Sequence, residues 1–168
     1  MIRPLRQDDA EALTRMLARC SPMTRYQRFH GAVEEFPPAY LRRCLSGDHT
    51  AMVAEEDGEV VALASVGPVF DEPDVHEVAA IVEDRWQSKG LGRELVATLL
   101  AHAGVAVVRM EVCRTSLLGY LTSTLPVVSA QHHGCDTVLD LDVRSAVEQW
   151  RELRHHRGER GDVAVQPR

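Results

Sequence analysis

The chain has 168 residues, 45% of them hydrophobic and 26% charged. That is room for one core, and the balance excludes collagen-like, low-complexity and disordered classes. A net charge of −6 argues against a nucleic-acid-binding surface and favours attraction of cationic partners.

Ile2 to Leu5 reads as a short first strand. Asp8 or Asp9 is placed to cap a helix running to about Arg19, with Ala12, Leu13, Met16 and Leu17 facing inward. Ser21 then caps a second helix, with Pro22 at its first position and Gly31 as its stop. Pro37-Pro38 opens a third helix over Ala39 to Leu45. Thr50 to Glu55 and Glu59 to Val69 are alternating, β-branched runs joined by Asp57-Gly58, a strong hairpin signal. Asp71 to Asp74 reads as an acidic loop before a short buried strand, Glu77 to Val82. From Leu91 onward, Leu91, Leu95, Leu99, Val96 and Leu100 share one stripe of an amphipathic helix. Val105 to Val112 reads as a buried strand of the parallel type. Val127 to Ala130 and Thr137 to Val143 read as a closing pair, with Gly134 near their turn. A charged helix is expected from Arg144 to Arg154, and His155 to Arg168 is a polar, frayed tail. Residues 1–150 thus form one expected domain, and 151–168 an expected flexible tail.

Between the strand at Glu77 and the helix at Leu91 lies Gln87-Ser88-Lys89-Gly90-Leu91-Gly92. Its glycines let the backbone approach a ligand, and the helix behind it presents unpaired N–H groups and the positive end of its dipole. This is an anion site made of backbone, suited to a pyrophosphate. Two common fingerprints do not fit. The dinucleotide motif needs three glycines as G-x-G-x-x-G, and the P-loop needs its lysine after the glycine, whereas Lys89 precedes Gly90. The spacing Q-x-x-G-x-G, with a strand before and a helix after, resembles the acetyl-CoA loop of the GCN5-related N-acetyltransferases, the GNAT superfamily. Gln87, Gly90 and Gly92 carry the resemblance, with Val82, Trp86, Leu91 and Arg93 in support. The element order agrees with that fold, a mixed α/β core with a mostly antiparallel sheet flanked by helices. A narrower resemblance joins I-R-P-L-R-x-x-D to S-P-x-T-R-Y-x-R-F-x-G and the hairpin. It is similar to the catalytic domain of Pat-type bacterial protein lysine acetyltransferases, over roughly residues 2 to 112 of this chain.

The resemblance implies acetyl transfer from acetyl-CoA to a primary amine. Gln87, Ser88, Lys89, Gly90, Leu91, Gly92 and Arg93 would hold the pyrophosphate, and the backbone of Ile81 and Val82 the pantetheine arm. An alkylammonium has a pKa near ~10.4, so a base must take its proton at neutral pH. Glu77, opening the strand that leads into the loop, is the first candidate; Asp74, Glu83 and Asp84 are weaker ones. Tyr120 is the candidate acid for the leaving thiolate, against the alternative of a core-facing ring. The family's usual Asn after Val112 is absent, and Cys113 stands there.

Three readings of function stay open: a protein lysine acetyltransferase, an N-acetyltransferase of a small amine (aminoglycoside, polyamine or amino acid), and an acyl-CoA-binding sensor or scaffold. Lys89 is the only lysine, so self-acetylation is confined to one side chain. His132-His133 and His155-His156 are adjacent pairs with no partners at ligand spacing, so no metal is expected. Cys20, Cys44, Cys113 and Cys135 form no C-x-x-C pair and are expected as small buried thiols. No apolar leader or membrane-length run stands out, so a cytoplasmic monomer or homodimer is expected.

Overall fold

The computed structural model describes residues 1–148 except Phe70, Arg114 and Cys135. Seven strands form one sheet in the order β1-β2-β3-β4-β5-β7-β6. They are β1 (Ile2–Pro4), β2 (Thr50–Glu56), β3 (Glu59–Val69), β4 (Glu72–Val82), β5 (Val107–Val112), β6 (Val127–His133) and β7 (Asp136–Asp142). Only β4 and β5 pair in parallel. This is the expected mixed, mostly antiparallel sheet. The helices are α1 (Ala10–Arg19), α2 (Pro22–Phe29), α3 (Pro38–Ser46), α4 (Leu91–Ala103) and α5 (Thr115–Thr124).

Each sheet face buries its own cluster. Leu13, Met16 and Leu17 of α1 pack with Val53, Leu63 and Ile81, joined by Phe36 and Cys44. Leu95, Leu99 and Leu100 of α4, Leu121 of α5 and Leu125 just after it pack with Ala62, Val108, Leu139 and Leu141 on the other face. The period-2 alternation of the strands and the 3.6-residue stripe of α4 meet in these two layers.

The hairpin turn has positive φ at both Asp57 and Gly58, matching a type I′ turn. Ser21 caps α2, its hydroxyl accepting the Thr24 N–H at 3.2 Å. Several details differ from expectation. No side-chain cap is made by Asp9 on α1. Its carboxylate instead accepts both ends of the Arg3 guanidinium at 2.7 Å and the Arg6 N–H at 2.7 Å. The left-handed residue ending α2 is His30 (φ 51°), whose N–H reaches the Tyr26 carbonyl, and Gly31 follows it. Glu72 and Asp74 lie on β4 rather than in a loop, because β3 and β4 keep pairing out to Val69↔Glu72. Residues 144–148 are helical, and the remainder of the expected C-terminal helix and tail lies outside the described residues. No helix among the described residues is long and apolar enough to cross a membrane.

Candidate active site

β4 pairs with β3 along nearly its whole length, from Val69↔Glu72 to Ala62↔Val82. Its pairing with β5 is limited to His76↔Val108 and Glu77↔Arg109. Beyond Glu77 the two parallel strands separate, and a cavity of about 940 Å³ opens between them. The ladder alternation decides which backbone groups face it. Glu83 donates its N–H to the Val61 carbonyl, so Ile81 and Ala79 likewise turn their backbone toward β3, while Val78, Ala80 and Val82 turn theirs to the opening. This corrects the expectation for Ile81. Its backbone is spent inside the sheet and its side chain is buried among the α1 cluster. Val82 has the expected orientation, and Ala80 joins it.

The turn after β4 is shaped by positive φ at Ser88 (60°) and Gly90 (86°). At Gly90 an added Cβ would meet nothing, so the requirement is conformational. Gly92 has an ordinary φ, but a Cβ there would sit 3.3 Å from Val82 Cγ2, so the requirement is close approach. Gly90 supplies no side-chain cap to α4, and the first intrahelical bond runs from Glu94 N–H to the Gly90 carbonyl. The N–H groups of Leu91, Gly92 and Arg93 therefore lack intrahelical acceptors at the positive end of the helix dipole. Arg93 and Lys89 line the same cavity. Lys89 Nζ lies 4.8 Å over the Trp86 ring.

Gln87 has an internal task. Its Nε2 donates to the Val82 carbonyl and to Thr24 Oγ1, both at 2.9 Å. Thr24 Oγ1 in turn donates to Asp84 Oδ1 at 2.9 Å, and Ser21 reaches Asp84 with its N–H at 2.8 Å and its hydroxyl at 2.6 Å. The start of α2 is thereby latched to the turn. Burial alone raises the Asp84 carboxyl, but the bonds from Ser21 and Thr24 outweigh it and hold it below its ordinary value. A lowered folded-state pKa means the latch contributes stability above the ordinary value of about 3.9 and loses it as pH falls through the folded value. Asp84→Asn is accordingly expected to lower the urea midpoint at neutral pH, with the difference from wild type closing in acid. A gap that persisted in strong acid would mean that Asp84 acts by shape alone. Glu83 is buried between Arg19 and Arg85, each at 2.8 Å, rather than facing solvent.

Glu77 sits at the last β4–β5 pair and lines the cavity. Cross-strand neighbours share a face, so Arg109 is placed to neutralise it. Arg109 is already engaged, however, by Asp140 at 2.9 Å and Glu72 at 2.6 Å, which push the arginine's pKa up. The Glu77 carboxylate keeps no ion pair or hydrogen bond among the described residues. Tyr120 is 38% exposed and lines the cavity with Leu117, Leu121 and Thr124, one face of α5, so its ring points to the opening and not into the core. Cys113, at the end of β5, lines it too, with Sγ 3.8 Å from the Gln27 carbonyl. Cys20 and Cys44 are buried free thiols, and burial pushes Cys20 up to about 11.

Sequence reasoning missed a cluster at the same cavity. His30 Nε2 lies 3.5 Å from Glu111, and its Nδ1 lies 3.6 Å from Asp136. These residues come from the end of α2, from β5 and from β7, so no spacing in the sequence joins them. Their ligating atoms lie within 4.8 Å of one another, and the imidazole faces the two carboxylates with different nitrogens. His132 bonds Thr137 at 3.0 Å on β6, Asp74 is exposed, and His155 and His156 lie outside the described residues.

Residues 10–112 match the model of the acetyltransferase (GNAT) family. An acetyltransferase of Pseudomonas aeruginosa, PA5475, is 33% identical over 107 residues, which are 60% of this chain and 57% of that protein. The chain thus spans little more than half the length of that relative. The crystal structure of the GNAT domain of S. lividans PAT superposes with a TM-score of 0.67 at 21% identity, covering 84% of this chain and 89% of that one. The structure of yncA from Salmonella typhimurium with acetyl-CoA gives 0.58 at 20% identity, covering 84% and 91%.

Proposed function

Since the chain belongs to the acetyltransferase (GNAT) family, we propose that it transfers the acetyl group of acetyl-CoA to a primary alkylamine, with Glu77 as base. The observation that carries this reading is an unpaired carboxylate where two parallel strands separate beside a pyrophosphate-shaped turn. Bound acetyl-CoA supplies an acetyl thioester. The N–H groups of Leu91, Gly92 and Arg93, with the charges of Lys89 and Arg93, hold its phosphates; Gln87 and Ser88 shape the loop. Val82 and Ala80 offer backbone groups to the pantetheine arm. The Val82 carbonyl is taken by Gln87, which leaves the Val82 N–H. Glu77 removes the ammonium proton, and the neutral amine attacks the thioester carbonyl. A β4 backbone N–H in the opening polarises that carbonyl. Tyr120 gives its proton to the departing thiolate.

The Pat-like motif supports a protein lysine as the acceptor. A second reading, a small amine, is favoured by the carboxylates here: Glu77 and Glu111 line the cavity, and Glu111 and Asp136 flank His30. Several carboxylates in one recess attract a compact cation. Thiol release from acetyl-CoA, measured against lysine peptides and a panel of small amines, tests the proposal and separates its two acceptors. Release with none of them would reject the enzyme reading and leave an acyl-CoA-binding domain. In the same assay Tyr120→Phe is expected to lower kcat roughly 10²-fold, the low end of general acid–base effects, with little change in the KM for acetyl-CoA. An unchanged kcat would assign thiolate protonation to water.

A further inference from the structure

The motif S-P-x-T-R-Y-x-R-F-x-G contains two arginines. Arg25 is paired with Glu34 at 2.7 Å. Arg28 is different. It is part-buried and lines the cavity, yet it meets no carboxylate among the described residues, in contrast to Arg3, Arg19, Arg25 and Arg109. Its guanidinium carbon lies 4.7 Å from the centre of the Phe29 ring and 4.6 Å from that of Tyr40, and its Nε is buried without a hydrogen-bond partner. The two rings fix the guanidinium, and the Tyr40 hydroxyl takes one hydrogen bond from it, but no carboxylate among the described residues meets the in-plane N–H groups that such a group pairs best. Burial pushes the Tyr40 phenol up, against the opposing charge of Arg28, so it stays neutral, and its oxygen bonds Ser65 at 2.9 Å.

The position relative to Glu77 follows from packing. Glu77 is in register with Gly67, whose missing side chain makes room for the His49 ring; a Cβ there would lie 2.2 Å from that ring. His49 stands edge-on to Tyr40 at 6.2 Å, and Arg28 lies over Tyr40. Burial and the charges of Arg43 and Arg28 lower the His49 pKa, so this ring is a neutral spacer. Tyr40 and His49 thus link Arg28 to Gly67, the register partner of Glu77, and both Arg28 and Glu77 line the cavity.

We propose that Arg28 binds a carboxylate of the acceptor, so that the acceptor is a free amino acid whose amine is delivered to Glu77. This rests on the acetyltransferase reading above. A planar guanidinium without a carboxylate partner takes one in paired, charge-assisted bonds, and the stacked rings hold it in place beforehand.

The test is thiol release from acetyl-CoA with L-amino acids, including lysine and 2,4-diaminobutyrate, each beside its carboxamide. Acid and amide present the same amine and differ at the carboxylate. Wild type is expected to favour the acid of at least one pair by roughly 10–100-fold in kcat/KM, mainly through KM. Arg28→Gln should erase that preference, and Arg28→Lys should restore it in part, with the Kd for acetyl-CoA unchanged in both. Turnover of amides or lysine peptides without any preference for acids in the wild-type enzyme would overturn the proposal and leave the acetyltransferase reading intact. That comparison needs no variant, so it holds even if Arg28→Gln fails to fold. A preference for acids that survived Arg28→Gln would also overturn it. Thiol release from no amine at all would reject both readings together.

Discussion

Glu77→Gln is expected to lower turnover roughly 10²–10⁴-fold, the range of general base catalysis. The substitution keeps the shape and the β4–β5 register and removes the proton acceptor. An alkylammonium with a pKa near ~10.4 is almost wholly charged at neutral pH. The deficit should therefore shrink as pH rises, because solution supplies more neutral amine and the base is needed less. The KM for acetyl-CoA should stay near its wild-type value, since Glu77 is in the middle of β4 and the cofactor turn follows its end at Val82. The structure makes this a sharper test than the sequence does, because Arg109, the obvious neutralising partner, is committed to Asp140 and Glu72. Unchanged turnover at neutral pH would move the role to Glu111, the other carboxylate lining the cavity.

Gly92→Trp should weaken acetyl-CoA binding by more than about 10²-fold, the loss expected when a bulky ring replaces a close backbone approach. A Cβ at residue 92 already stands 3.3 Å from Val82 Cγ2, so the indole has no room against β4 and must enter the opening. Gly90 fails differently. Its φ of 86° makes any side chain strained by about 1–2 kcal/mol, although the space around it is open. Gly90→Ala should therefore cost stability and only part of the affinity, while Gly92→Trp should cost affinity with a small change in the melting temperature of the ligand-free protein. Calorimetric titration with acetyl-CoA reads both. Wild-type affinity in Gly92→Trp would show that the turn does not hold the cofactor.

The turn was legible because its chemistry is local. A strand, two glycines two residues apart and an amphipathic helix are consecutive in the chain, and their backbone geometry follows from residue type. Ser21-Pro22 and Asp57-Gly58 were legible for the same reason, and the structure repeats the expected cap and turn there. Other local readings were displaced by competing contacts. Asp8 or Asp9 was expected as a cap, but Arg3 and the Arg6 N–H claim the Asp9 carboxylate. Gly31 was expected to end α2, yet His30 takes the left-handed position, and its ring lies beside Glu111 and Asp136. The acids of 71–74 were read as a loop because their composition is polar, whereas pairing with Val69 draws Glu72 into β4.

The sequence by itself determined the element order apart from α5, the anion-binding turn and the presence of a carboxylate on the strand that leads into it, since each depends on periodicity or on neighbours in the chain. The tertiary structure decided which of these groups remain available. The parity of the β3–β4 ladder turned Val82 and Ala80, not Ile81, to the opening. Long-range pairing consumed Arg109, Glu83 and Asp84 and left Glu77 and Arg28 without ionic partners among the described residues. Availability is a property of the whole set of contacts. A charged side chain reads the same in sequence whether or not another segment, 30 or more residues away as for Arg109 and Asp140 (|i−j| = 31), has already taken its hydrogen bonds.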